Sequence, residues 1–145
     1  MIDVTGGCAC GQVRYRARVE PDGYWCHCRM CQRAVGNVAA AFVNALQADV
    51  EWTAGAPAEW RSSPIALRGH CGTCGTPLTF RYHDGDRMDL TVGSLDDPAA
   101  ARLTSHFAVE SKVPGWIHDD ALPTLRSQDH QPLQDRWAKA KDAPE

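Results

Sequence analysis

The chain has 145 residues with Lys+Arg 15 and Asp+Glu 18, a formal net charge of -3, 43% hydrophobic and 23% charged. This is the profile of one ordinary globular domain, and it excludes a mainly disordered or collagen-like chain. The mildly acidic balance argues against broad electrostatic capture of nucleic acid, and the longest apolar run, residues 38–43, falls far short of the about 20 residues a bilayer span needs.

Met1-Ile2-Asp3-Val4-Thr5 has no basic n-region and no apolar h-region, so a cytoplasmic location with no membrane partner is expected. Residues 12–19 read as a strand, since Val13, Tyr15, Ala17 and Val19 alternate with Arg14, Arg16 and Arg18. The arginine stripe is its solvated face. Pro21-Asp22-Gly23 reads as a turn, and residues 29–34 as a short helical turn before Gly36. Residues 37–44 form an apolar strand expected to be buried on both faces. Residues 50–53 and 58–62 are two short strands around Gly55-Ala56-Pro57. Residues 65–68 and 77–83 flank a cysteine turn, and Asp84-Gly85-Asp86 closes a hairpin onto residues 88–92. Asp96-Asp97-Pro98 carries the Asp cap and early Pro of a helix start, with residues 99–103 giving one or two turns. Residues 107–109 suggest a last short strand, and residues 132–141 a weakly amphipathic helix, with fraying from Asp142. The sum is a mainly β fold of short antiparallel strands with short helices. Residues 1–125 form the domain and residues 126–145 a C-terminal tail.

Seven cysteines fall into three groups: Cys8 with Cys10; Cys26, Cys28 and Cys31; and Cys71 with Cys74. The odd count prevents complete intramolecular pairing, and dense cysteine in a reducing compartment points to metal or catalysis. Thiolates one or two residues apart reach a single ion from a tight knuckle, and tetrahedral zinc takes four ligands. Cys71-Gly72-Thr73-Cys74-Gly75 supplies two, with glycines that admit positive φ, and Cys8-Ala9-Cys10-Gly11 supplies two more. Together they make a closed, structural site. Cys26, Cys28 and Cys31 leave a fourth position vacant for water or substrate, the mark of a catalytic zinc. Two Zn²⁺ per chain are therefore expected. An open zinc with three thiolates carries a charge of about −1, a weak Lewis acid but a good host for another thiol. Three other assignments stay open on spacing alone. His27 could close the second site. His70 or His106 could complete it from a distance. Cys28 and Cys31 could be a redox C-x-x-C.

The segments Gly7-Cys8-Ala9-Cys10-Gly11-Gln12-Val13-Arg14-Tyr15, Cys26-His27-Cys28-Arg29-Met30-Cys31, Arg68-Gly69-His70-Cys71-Gly72-Thr73-Cys74-Gly75-Thr76 and Val92-Gly93-Ser94-Leu95-Asp96-Asp97-Pro98 resemble the glutathione-dependent formaldehyde-activating enzyme family. That family also includes centromere protein V. The resemblance spans roughly residues 5–120. It implies an antiparallel β-tent, a structural zinc on Cys8, Cys10, Cys71 and Cys74, and a second zinc on Cys26, Cys28 and Cys31. It implies a carbon–sulfur lyase-type activity in which a glutathione-like thiol adds to a formaldehyde-like aldehyde, giving an S-hydroxymethyl adduct. The alternative is a non-catalytic zinc-binding interaction module, as the centromere relative suggests. A chromatin role would call for a basic extension, whereas the net charge here is negative.

Substrate contacts have weaker signals. Ser62, Ser63 and Ser94 could hydrogen-bond a peptide-like thiol, or make turns. Arg68 and Lys112 could attract glutathione carboxylates, or be solvated. Trp116 could wall the pocket, or simply pack. His27 reads as a solvated knuckle histidine, His70 as core or surface, and His106 as pocket-facing or buried and hydrogen-bonded.

Overall fold

The computed structural model describes residues 1–116 and 120–141. Its strands are β1 (Ile2–Gly7), β2 (Arg14–Val19), β3 (Asp22–Cys26), β4 (Ala40–Ala54), β5 (Ala58–Ser63), β6 (Ala66–His70), β7 (Pro77–Tyr82), β8 (Arg87–Thr91), β9 (Arg102–Phe107) and β10 (Thr124–Leu125), with helices α1 (Arg29–Val35) and α2 (Gln131–Lys141). The alternation in β2 does what a period of two dictates: Tyr15, Ala17 and Val19 are buried while Arg16 and Arg18 are exposed.

β4 organises the fold. Its first half pairs antiparallel with β3 on one side and β8 on the other, and its second half pairs with β2. The strand order runs β10-β9-β3-β4-β8-β7-β6-β5, and β1 attaches through β2. Pairing is antiparallel except that β9 runs parallel to β3 and to β10. Because β4 has neighbours on both edges and packs on both faces, Ala40, Phe42, Val43 and Ala45 are all buried. Two apolar clusters result. The larger gathers Val4, Val13, Tyr15, Val19, Leu78 and Leu90, and includes Cys8 and Cys71. The smaller holds Cys26, Cys31, Ala40 and Phe42, packed by Tyr24, Phe80 and Phe107.

Several local expectations change. The turn at 21–23 gives way to β3. Gly23 is there for close approach, because a Cβ would collide with the Phe42 carbonyl oxygen and the Leu103 side chain. Residues 50–53 continue β4 and are not a separate strand. The helix expected over 99–103 is a single 3₁₀ turn, Pro98–Ala100, in which Asp97 accepts from the Ala99 N–H at 3.1 Å. The chain then enters β9, whose pairing with β3 outweighs the local helical signal. Residue 109 opens a 3₁₀ turn, so the strand ends at Phe107. The terminal helix forms as expected. The fraying placed from Asp142 lies outside the described residues.

Candidate metal centres

The first centre joins two knuckles far apart in sequence. Gly11 and Gly75, each at φ 79°, close the knuckle turns in a conformation that strains any side chain. The Val13 N–H donates to Cys8 Sγ at 3.2 Å, and the N–H groups of Thr73 and Cys74 donate to Cys71 Sγ at 3.4 and 3.5 Å. Backbone N–H groups are thus aimed at one sulfur of each knuckle. Ala9 N–H donates to Thr76 Oγ1 at 3.1 Å, and that hydroxyl lies 3.1 Å from Cys74 Sγ, tying one knuckle to the other. Cys8 and Cys10 sulfurs are 3.5 Å apart, Cys10 and Cys71 sulfurs 3.7 Å, and all four lie within 4.8 Å of one another. A zinc tetrahedron with metal–sulfur bonds of about 2.3 Å has edges of about 3.8 Å, so this donor set fits the ion.

The second centre is built from one strand end and one helix start. Cys26 ends β3, Cys28 is the N-cap of α1 and accepts from the Cys31 N–H at 3.3 Å, and Cys31 is buried within α1. The three sulfurs lie within 4.8 Å of one another. Hydrogen bonds from Cys26 and Cys31 pull the Cys28 thiol down to about 3, while its contact with Cys28 pushes Cys26 well above an ordinary thiol. Three thiols so close do not ionise together unaided; a soft cation suits them. Arg68, only 6% exposed, donates from Nη2 to Cys31 Sγ at 3.3 Å and lies over the Phe80 ring at 4.8 Å. The sulfurs face a cavity of about 140 Å³ walled by Phe42, Phe80 and Phe107. Ser62 and Ser63 of β5 and Leu133 and Trp137 of α2 complete its lining.

Cys28 does open a helix, the placement a redox pair would use, but Cys26 brings a third sulfur to the same point. None of His27, His70 and His106 joins the second cluster among the described residues. His27 is not solvated as expected. It is 1% exposed, with Nε2 2.8 Å from His106 Nδ1, and burial lowers its pKa. His106 is buried, and its Nε2 lies 3.1 Å from Asp120. Its place in the β3–β9 pairing makes it a core group.

Of the other candidates, Arg68, Ser62 and Ser63 reach the cavity, and Lys112, Ser94 and Trp116 do not line it. Ser94 is buried against the Tyr15 hydroxyl at 2.7 Å, and Trp116 is 71% exposed. The Arg14, Arg16 and Arg18 stripe faces Asp96, Glu51 and Asp3 as surface ion pairs. Sequence reasoning missed Asp89. It accepts from Tyr24 Oη at 2.9 Å and Asn44 Nδ2 at 2.8 Å, and burial pushes its carboxyl up to about 6. Its signal was an acid between Met88 and Leu90 in a strand buried on both faces. Tyr24 lines the cavity.

The sequence profile described as "Glutathione-dependent formaldehyde-activating enzyme" matches residues 3–111. Both cysteine clusters fall inside that span; β10 and α2 fall outside it. A solved structure, a crystal structure of a Rhodobacter sphaeroides protein, is 22% identical with a TM-score of 0.54. The match covers 63% of this chain and 87% of that one, a likeness of fold. No curated protein matches the chain. Among the described residues no helix is long and apolar enough to cross a membrane.

Proposed function

The chain belongs to the glutathione-dependent formaldehyde-activating enzyme family, and from that premise we propose that it is a carbon–sulfur lyase-type enzyme joining a glutathione-like thiol to a formaldehyde-like aldehyde. One observation carries this reading. The three-sulfur cluster lies at the wall of a largely apolar cavity, whereas the four-sulfur cluster already offers a complete donor set.

Cys8, Cys10, Cys71 and Cys74 would hold a structural zinc, and Cys26, Cys28 and Cys31 a catalytic one. Bound to three cysteines, zinc would supply acidification of a substrate thiol, whose ordinary pKa is about 8.5. The remaining work falls to the chain. The Arg68 guanidinium beside Cys31 offsets the negative charge that three thiolates concentrate. Phe42, Phe80 and Phe107 keep water from the encounter of sulfur and aldehyde. Tyr24 Oη donates to Asp89, and burial keeps this phenol of the cavity wall neutral beside the thiolates. In the net reaction a sulfur–carbon bond forms and the carbonyl π pair moves to oxygen. That oxygen takes up a proton equivalent to the one the thiol released, and no oxidant is consumed.

Thiols and formaldehyde also combine spontaneously, so the test is the rate above background. Exchange-rate measurement of adduct formation should show acceleration by the native protein and none by Cys28→Ser. Equal rates, with two zinc ions bound to the native chain, would favour a zinc-binding interaction module instead.

A further inference from the structure

The helix α2 supplies no sulfur to either cysteine cluster and falls outside the span that the family profile matches. One of its faces meets the domain: Leu133, Gln134, Arg136, Trp137 and Ala140 are half-buried, while Asp135, Ala138 and Lys139 are exposed. That spacing is a single helical stripe. From this stripe Leu133 and Trp137 line the cavity that holds Cys26, Cys28 and Cys31. Most of the remaining wall belongs to strands of the sheet, fixed by their ladders.

No ladder holds α2. Side chains seat it: Arg136 Nε is 3.2 Å from Asp84 Oδ1, the guanidinium lies 4.0 Å over the Tyr82 ring, and Gln134 Nε2 donates to the Ser127 carbonyl at 2.7 Å. None of its 11 residues is fully buried, and so short a helix is marginal on its own. Leu133 and Trp137 therefore stand against the cavity because these contacts keep them there.

The cavity measures about 140 Å³, well under the roughly 300–1,000 Å³ of sites that take in a drug-sized ligand. A thiol brings its sulfur and the adjoining carbon into that space, and the remainder stays outside. The walls consequently respond to the shape of the sulfur-bearing carbon and to little else. Methyl branches there press on Phe42, Phe80 and Phe107, which pack with the smaller core cluster, or on Leu133 and Trp137. Close-packed core groups yield little. Met30, also in the lining, is 46% exposed and pliant, so it gives way.

Building on the thiol-binding role argued above for the three-cysteine centre, we propose that Leu133 and Trp137 are specificity-determining residues: with α2 seated, the centre accepts a thiol on an unbranched carbon and rejects one on a fully branched carbon.

The test uses the full chain with cobalt in place of zinc and reads the change in sulfur-to-cobalt absorption as thiol is added. N-acetylcysteine and N-acetylpenicillamine are the probes, since they differ only by two methyl groups on the sulfur-bearing carbon. The native protein should bind N-acetylcysteine at least tenfold more tightly. Leu133→Ala combined with Trp137→Ala should shrink that ratio to threefold or less, by strengthening N-acetylpenicillamine while N-acetylcysteine stays within threefold. Taking the ratio in each protein removes the intrinsic difference between the two thiols toward cobalt. Arg136→Ala keeps both apolar side chains but unseats α2, and it should relax the ratio as well. Trp137→Phe should fall between the native protein and the double variant. No residue of α2 is fully buried, so every variant should retain its β-sheet circular dichroism and its cobalt. A native ratio under tenfold, or one that the double variant leaves unchanged, overturns the assignment and leaves the proposed thiol binding standing. If neither thiol alters the native cobalt spectrum, the thiol-binding role fails and the specificity with it.

Discussion

Cys8, Cys10, Cys71 and Cys74 come together where two knuckles meet, with Cys8 and Cys71 in the larger core cluster, Cys10 and Cys74 exposed, and backbone N–H groups aimed at Cys8 and Cys71. Cys26, Cys28 and Cys31 belong to the smaller apolar cluster and line a cavity, with a buried arginine against one sulfur. The first arrangement links residues more than 60 positions apart (Cys10 to Cys71), so it closes a long loop. The second spans six residues and closes almost none. On the proposed reading the first centre fastens the chain, while the second places its sulfurs at a recess that a compact core would have filled.

The largest expected effect breaks this comparison directly. Structural zinc is worth roughly 10–16 kcal/mol of apparent binding free energy, of the same order as the stability of a whole domain. Cys71→Ser should abolish the folded state, seen as loss of the β-sheet circular dichroism and of both bound metals. Cys31→Ser should keep the sheet and one zinc by elemental analysis, while losing activity. Equal collapse of both variants would mean the two centres are equally structural.

A smaller effect sharpens the picture of the cavity side. Burial holds the Asp89 carboxyl at about 6, against an ordinary value of 3.8, despite hydrogen bonds from Asn44 and Tyr24 and the nearby charge of Arg87. At pH below 3.8 the acid is protonated folded or unfolded, and its contribution is fully present. As pH rises, the unfolded chain releases the proton first, so stability falls until the folded acid has also ionised above about pH 6. A shift of two units corresponds to about 3 kcal/mol. Asp89→Asn keeps the shape without the charge. Relative to the native protein it should gain about 2–3 kcal/mol between pH 4 and pH 8 in urea melts. A difference independent of pH would place the cost elsewhere.

The cysteine grouping was legible because knuckle spacing is local: one or two intervening residues fix which sulfurs can share an ion. The hairpin β7–β8 and helices α1 and α2 were legible for the same reason, from turn residues and short-range pattern. What escaped depends on contacts between distant segments. Gly23 looked like a turn glycine, and only the approach of β4 and β9 shows it to be a strand glycine. His27 looked solvated, and it is the partner at His106 that buries it. The docking of α2 over the cavity rests on Arg136 meeting Asp84 and Tyr82, three residues with no sequence relation to one another.

The smallest effect concerns the first centre's surroundings. Arg14 donates to both oxygens of Asp96, which also accepts from the Thr5 hydroxyl at 2.6 Å, and this joins β1 and β2 to the loop before β9. The geometry is bidentate, but the two side chains are 37% and 44% exposed, so water competes for both charges. Such pairs contribute up to about 1 kcal/mol. If sulfur and metal are what fasten this end of the molecule, Arg14→Ala should cost no more than that, and the cost should shrink in high salt. Acid should remove it too. Arg14, and then Thr5, hold the Asp96 carboxyl below its ordinary 3.8, so the contribution is present above that value and is lost as pH falls through the lowered one. A loss of several kcal/mol, persisting in salt, would mean that the knuckles depend on this ion pair for their approach and that the metal alone does not bring them together.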